Sequence, residues 1–239
     1  MTQPFIFCHM LISIDGKITG KYMNTPEGEA AGDFFYQVAF GEKPFYKNQG
    51  WLSGRKTTDD NFTMYKEPVL PESFEAVPAG DYIIETGKPI YYISIDPSGK
   101  LGWEKNTITY QDTTATVIEV LTEKVSDNYK AFLRSLDIPY IIAGKESIDP
   151  KQTVEKLQRH FNLESIMLGG GGLLNWSFIE AGVCDEVSLV VAPVADGSSD
   201  SPSVFENGSL SGDKAVAFSL EQAETQEDGT LWLRYKVKK

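Results

Sequence analysis

Residues 4–14 leave no polar face when laid out as an extended strand. Ile6, Cys8, Met10, Ile12 and Ile14 form one wholly apolar face, and Phe5, Phe7, His9, Leu11 and Ser13 form the other. A strand apolar on both sides is covered on both sides, so a central place in a sheet is expected, with Asp15-Gly16 ending it. The spacing then predicts a helix over 27–40, a short strand over 49–54 closing at Gly54, and a further helical stretch from near Thr57. Residues 66–88 are punctuated by Pro and Gly and are expected as loop. A β run over 89–95 closes on the turn Asp96-Pro97-Ser98-Gly99.

From residue 115 a regular alternation begins. A β run over 115–121 precedes a helix that Ser126 can cap, with Tyr129, Phe132, Leu133 and Leu136 at i, i+3, i+4 and i+7. Residues 138–143 form the next strand. Asp149-Pro150-Lys151-Gln152 reads as a helix start: a cap, Pro at the first helical position, and an amide placed to reach back. Val154, Leu157 and Phe161 give that helix its apolar stripe. A strand over 165–168, four glycines, a helix over 173–181 stopped by Gly182, and a strand over 186–193 follow. Residues 196–213 are rich in Gly, Ser and Asp and are expected as a mobile surface loop. Residues 215–224 and 229–237, joined around Asp228-Gly229, read as a β-hairpin. The rhythm implies right-handed crossovers and a largely parallel sheet with helices on both faces, ending in an antiparallel hairpin. No linker is long enough to split the chain, so a single α/β domain over 1–239 is expected.

Composition narrows the partners. The chain has 239 residues, of which 41% are hydrophobic, enough to bury a sizeable core. Lys and Arg number 22 against 34 Asp and Glu, a net charge of −12, and no basic cluster is present. Nucleic acid and an anionic membrane surface are therefore disfavoured. A small anionic ligand stays open, because local dipoles and a few cations can hold one. No segment reaches the roughly 18 apolar residues of a membrane span, and the first residues lack a basic n-region, so a cytoplasmic protein without a signal peptide is expected. Cys8 and Cys184 are expected as buried thiols of a reducing compartment. No metal is expected: Cys8 and His9 point to opposite faces of one strand, and no C-x-x-C pair occurs.

Three stretches carry candidate chemistry. Gly169-Gly170-Gly171-Gly172 stands between a strand and a helix, where bare amides and the positive end of the helix dipole make a seat for a pyrophosphate or phosphate. A tight, closely packed turn is the alternative. It is not a G-x-G-x-x-G fingerprint, because Leu174 stands at the last glycine position, and no Lys-Ser/Thr follows as in a phosphate-binding P-loop. Ser13, Asp15 and Lys17 gather a hydroxyl, a carboxylate and an amine at the end of the first strand, with Ser13 and Asp15 about 6.6 Å apart on one face. They suit a polar substrate, and an ordinary Asp-Gly turn with Lys17 in solvent is the alternative. His9 lies roughly 13 Å from Ser13 and is read as a packed or hydrogen-bonded core histidine. Gly54-Arg55-Lys56-Thr57 places two cations and a hydroxyl at a helix start, which suits a phosphate monoester such as the 2′-phosphate of NADP, or else a solvated helix start.

The order of these motifs resembles the RibD C-terminal reductase family. The matching positions are Ser13 to Lys17, Gly54 to Thr57, Ile95 to Pro97, Gly170 to Asn175, and Ala181 to Pro193. The resemblance implies a dihydrofolate-reductase-like, three-layer α/β/α fold and the cofactor NADPH. It implies that Gly169, Gly170, Gly171, Gly172 and Leu173 take the pyrophosphate. Gly54, Arg55 and Thr57 would lie along the nucleotide, Ser94 and Ser98 near its adenosine end, and Ser13, Asp15 and Lys17 toward a small-molecule substrate. Asp15 and Lys17 would handle the proton or orient the substrate. Family members such as 5-amino-6-(5-phosphoribosylamino)uracil reductase of riboflavin biosynthesis reduce a phosphoribosylamino-pyrimidine to its ribitylamino product, by hydride addition to a ribose-derived imine. A homodimer is also implied.

One departure stands out. Pathway members usually carry a glutamate at the head of the glycine run, where this chain has Gly169 and no carboxylate close by in sequence. The aromatic stretch over 24–48, with Phe34, Phe35, Tyr36, Phe40, Phe45 and Tyr46, lines a distinct substrate pocket or serves as core or dimer contacts. Two rival functions follow. One is a dihydrofolate-like reductase, which needs a pocket-facing carboxylate on the first helix, Glu29 or Asp33. The other is a non-catalytic nucleotide-binding protein, which would bind NADPH without turnover.

Overall fold

The computed structural model describes residues 3–85, 90–208 and 215–239. Parts of the expected loops over 66–88 and 196–213, the head of the expected β run at Pro89, and the first two residues lie outside the described residues. In chain order the elements are β1 (Phe5–Ile12), α1 (Pro26–Phe40), β2 (Gly50–Gly54), α2 (Arg55–Thr58), β3 (Tyr91–Ile95), β4 (Thr107–Tyr110), β5 (Thr113–Leu121), α3 (Asp127–Ser135), β6 (Tyr140–Ile142), α4 (Pro150–Phe161), β7 (Ser165–Leu168), α5 (Gly172–Glu180), β8 (Glu186–Val191), β9 (Phe218–Thr225) and β10 (Leu231–Val237). They form the mixed, mostly parallel α/β arrangement the alternation predicts, with antiparallel C-terminal strands.

The helix signals act as the sequence indicates. The Ser126 hydroxyl accepts the Tyr129 amide at the start of α3. Asp149 accepts the amides of Lys151 and Gln152 at α4, and the Gln152 side-chain amide reaches back to Asp149 Oδ2 at 3.1 Å. Thr25 caps α1 by accepting the Gly28 amide, with Pro26 at the first helical position.

The chain divides into two compact units, one of residues 1–4 and 49–166, the other of residues 5–48 and 167–239. In the first, β2 pairs with β3 and β3 with β5, all parallel. The other edge of β5 is shared: β4 runs antiparallel against Thr113–Thr116, and β6 runs parallel against Glu119–Leu121. The hairpin of β4 and β5 was not anticipated. Its turn uses Gln111 at φ 48, so no Gly or Pro marks it, and β4 has only Ile108 fully buried.

In the second unit β1 and β8 are parallel, and β10 pairs antiparallel with both β8 and β9. β1 is buried along most of its length, with Ile6, Phe7, Cys8 and His9 at 1% exposure or less. Ile14, expected on the buried face, lies beyond the strand and is 64% exposed. In the aromatic stretch Tyr36 and Tyr46 are buried and Phe45 is 51% exposed; Tyr46 stacks on Phe7, Phe35 on His9, and Phe34 and Phe45 meet Trp232 edge-on.

Candidate active site

In the second unit, β1 runs into the turn Ser13–Lys17. Ser13 is fully buried and both capacities of its hydroxyl are engaged: it donates to Asp15 Oδ1 at 2.6 Å and accepts the Lys17 amide at 3.0 Å. Asp15 is exposed, and its carboxylate also accepts the amides of Asp196 and Gly197, each at 2.9 Å. The Ser13 hydroxyl first, and those amides next, hold its carboxyl well below the usual carboxylate range. Asp15 is thus a fixed acceptor at neutral pH, suited to orienting groups and a poor proton source. The Lys17 ammonium donates to the Ser201 carbonyl at 3.0 Å.

The glycine run is not uniform in its reasons. Gly170 has φ 105, which favours glycine on backbone grounds. A β-carbon on Gly172 would come within 2.4 Å of the Ser203 carbonyl and 2.9 Å of Glu206 Cγ, so packing within the chain demands glycine there. Gly171 has ordinary φ and ψ, and a β-carbon on it would meet nothing closer than Ile18 Cδ1 at 3.8 Å. It is the position of the three at which neither φ and ψ nor packing requires glycine. Gly171 also stands at the N-cap of the nine-residue helix α5, with no side-chain cap among the described residues. Leu173, at the first turn, is 49% exposed.

The described part of the segment expected as a mobile loop is laced to this turn. The Glu206 amide donates to the Gly172 carbonyl at 3.2 Å, and the Asn175 side-chain amide donates to the Val204 carbonyl at 3.1 Å. A carboxylate-bearing side chain, Glu206, therefore lies beside the glycines after all. It comes from 34 positions downstream, which no local sequence signal exposes.

In the first unit, Gly54-Arg55-Lys56-Thr57 leads from β2 into α2, a single turn of four residues. So short a helix carries little dipole, and any anion recognition here rests on the charges of Arg55 and Lys56. Both are exposed, and Arg55 lies 3.9 Å from Asp59 in a loose pair. Ser94 is wholly buried: its hydroxyl lies 3.0 Å from Thr58 Oγ1, which also meets Tyr92 and the Gly54 carbonyl. Ser98 is exposed, with its amide turned to Asp96. Ser53, Ser94 and Glu119 stand in register across β2, β3 and β5, a buried polar row that the sequence reading missed.

The dihydrofolate-like alternative rests on carboxylates of α1. Glu29 and Asp33 are both exposed on α1. His9 is a core histidine, as expected: Nδ1 lies 2.9 Å from Ser188 Oγ and Nε2 lies 3.1 Å from the Phe35 carbonyl, with the Trp232 indole donating to the same Ser188 oxygen. Burial lowers its pKa to about 4, against smaller opposing effects of these partners. Cys8 and Cys184 are buried free thiols, and burial pushes Cys184 up to about 12.

Residues 86–233 match the model of the RibD C-terminal domain family. The chain belongs to that family. A relative from Aquifex aeolicus, named 2,5-diamino-6-ribosylamino-4(3H)-pyrimidinone 5′-phosphate reductase, is 29% identical over 219 residues, covering 85% of this chain and 83% of its own. Among solved structures, a pyrimidine reductase-like protein from Corynebacterium diphtheriae matches with a TM-score of 0.64 at 17% identity, over 99% of this chain and 92% of that one. A riboflavin biosynthesis reductase from Saccharomyces cerevisiae matches with a TM-score of 0.59 at 15% identity, over 99% and 90%. At such identities these structures show that the RibD C-terminal fold is shared.

Proposed function

We propose that this protein is a reductase of the riboflavin pathway that uses NADPH to convert a ribosylamino-pyrimidinone phosphate to its ribitylamino product. The observation that carries this reading is the near full-length similarity to the Aquifex reductase. The glycine turn supports a dinucleotide: Gly171 has room for a β-carbon beyond its ordinary contact with Ile18, and it stands at the start of α5 with no side-chain cap among the described residues. Gly169 to Leu173 would hold the pyrophosphate, and Gly54, Arg55 and Thr57 the nucleotide, with Arg55 and Lys56 matching a 2′-phosphate in charge.

When bound, reduced nicotinamide would supply the hydride that an imine carbon of the opened sugar accepts. The protein's share is to hold the reactants in register and keep the substrate's polar groups satisfied. Asp15, fixed as a carboxylate by Ser13, suits the orienting of hydroxyl or ammonium groups. Lys17 is the nearer candidate for supplying a proton. The test is NADPH oxidation in the presence of 2,5-diamino-6-ribosylamino-4(3H)-pyrimidinone 5′-phosphate and, separately, of 5-amino-6-(5-phosphoribosylamino)uracil. Turnover of either supports the reading, and oxidation of NADPH by neither overturns it.

A further inference from the structure

Two stretches of the second unit, residues 13–22 and 194–206, are stitched together along their length. The Ile14 amide donates to the Val194 carbonyl at 2.9 Å, the Ile18 amide to the Pro202 carbonyl at 3.0 Å, and the Val204 amide to the Gly16 carbonyl at 3.2 Å. Asp196 turns back to accept the Tyr22 amide at 3.3 Å, and its carboxylate fills the space beside Gly20, where a β-carbon would lie 2.2 Å from Oδ2. Gly20 has φ 141, so glycine is required there twice over. The far end of the strap, Ser203 to Glu206, rests on the glycine turn.

Asp15 sits at the point where this strap turns. Its two oxygens take the consecutive amides of Asp196 and Gly197, and the Ser13 hydroxyl pins the carboxylate from behind. Charge-assisted bonds of this kind are about twice as strong as neutral ones, and an amide in place of the carboxylate presents N–H to N–H on one side. We propose that Asp15 is a positioning residue: it latches the strap 194–206, which in turn sets Ser203 and Glu206 against the glycine turn and shapes the substrate side of the site. This deepens the reductase reading above and rests on it. It assigns Asp15 a role exerted through the strap rather than through proton transfer.

The test combines amide hydrogen exchange on the full chain with steady-state kinetics, for the wild type, Asp15→Asn and Gly20→Ala. Gly20→Ala strikes the same latch from the Asp196 side. Both variants are expected to speed exchange over residues 196–206 by about tenfold or more, with β1 and β8 unchanged. With substrate, Gly20→Ala is expected to raise KM about tenfold while kcat and the shape of its pH profile are kept. Unchanged exchange over 196–206 in Asp15→Asn overturns the proposal. So does a collapse of kcat with a lost pH limb at constant KM, which would mark Asp15 as the proton carrier. If the wild type turns over neither pyrimidine, the reductase reading fails, while the exchange result still decides whether Asp15 is the latch.

Discussion

The Ser203 carbonyl lies so close over Gly172 that a β-carbon there would sit 2.4 Å from the oxygen, although Ser203 is 31 positions further along the chain. At the next residue back, Gly171, a β-carbon would make only an ordinary contact, with Ile18 Cδ1 at 3.8 Å. A run of four glycines thus combines at least two physical demands, one made by the chain on itself and one compatible with a ligand.

Gly172→Ala is therefore expected to lift residues 203–206 off the turn and to destabilise the protein by about 1–3 kcal/mol, the usual cost of overpacking against backbone. Gly171→Ala is expected to leave stability within about 0.5 kcal/mol. Thermal unfolding of the two variants side by side checks the contrast, and equal destabilisation would show that Gly171 is also a packing glycine.

His9 links stability to pH in one direction. Its pKa in the folded chain is about 4 against an ordinary 6.5, so the unfolded chain binds the proton first as pH falls. Its contribution is present in full above about 6.5 and is lost progressively as pH falls toward 4, on the order of 3 kcal/mol in all. The difference in stability between the wild type and His9→Gln, measured by denaturant titration across that range, is expected to shrink as pH falls. A constant difference would mean that His9 is solvated or charged.

Glu119 acts with the opposite sign. It is wholly buried, Oε1 accepts the Trp103 indole at 2.6 Å, and Oε2 has no partner among the described residues. Burial first, and the Asp96 charge next, push its carboxyl well above the ordinary 4.5. A raised carboxyl stabilises the fold below about pH 4.5 and loses that contribution as pH rises. Glu119→Gln keeps the Trp103 bond and carries no proton to lose. It is expected to be more stable than the wild type at pH 7, with the gain fading toward pH 4. A loss of stability at pH 7 would contradict this.

Much of the architecture could be read from residue patterns because local and tertiary demands agree. β1 is apolar on both faces and is buried, and Ser126 and Asp149 cap the helices they precede. What stayed hidden depends on contacts between distant segments. β4 is too short for a period to show. Ser94 reads as a serine near a strand end, and only pairing with β5 and the hydroxyl of Thr58 reveals it as part of a buried polar row. The strap 194–206 has the composition of a loose loop, yet Asp15 and Gly20 hold it down. At the candidate site the residue types were visible in advance. Their partners were not, because Asp196, Gly197, Ser201 and Ser203 are small or polar residues with no pattern of their own.

The most direct measurement is a fluorescence titration with NADPH and NADH of the wild type, Gly171→Asp and Arg55→Ala. The wild type is expected to bind NADPH at least about tenfold more tightly than NADH. Arg55→Ala should erase most of that preference, and Gly171→Asp should abolish binding of both while keeping the wild-type melting temperature. Equal, weak binding of the two nucleotides by the wild type, or undiminished NADPH binding by Gly171→Asp, would contradict the assignment of the glycine turn as a dinucleotide seat.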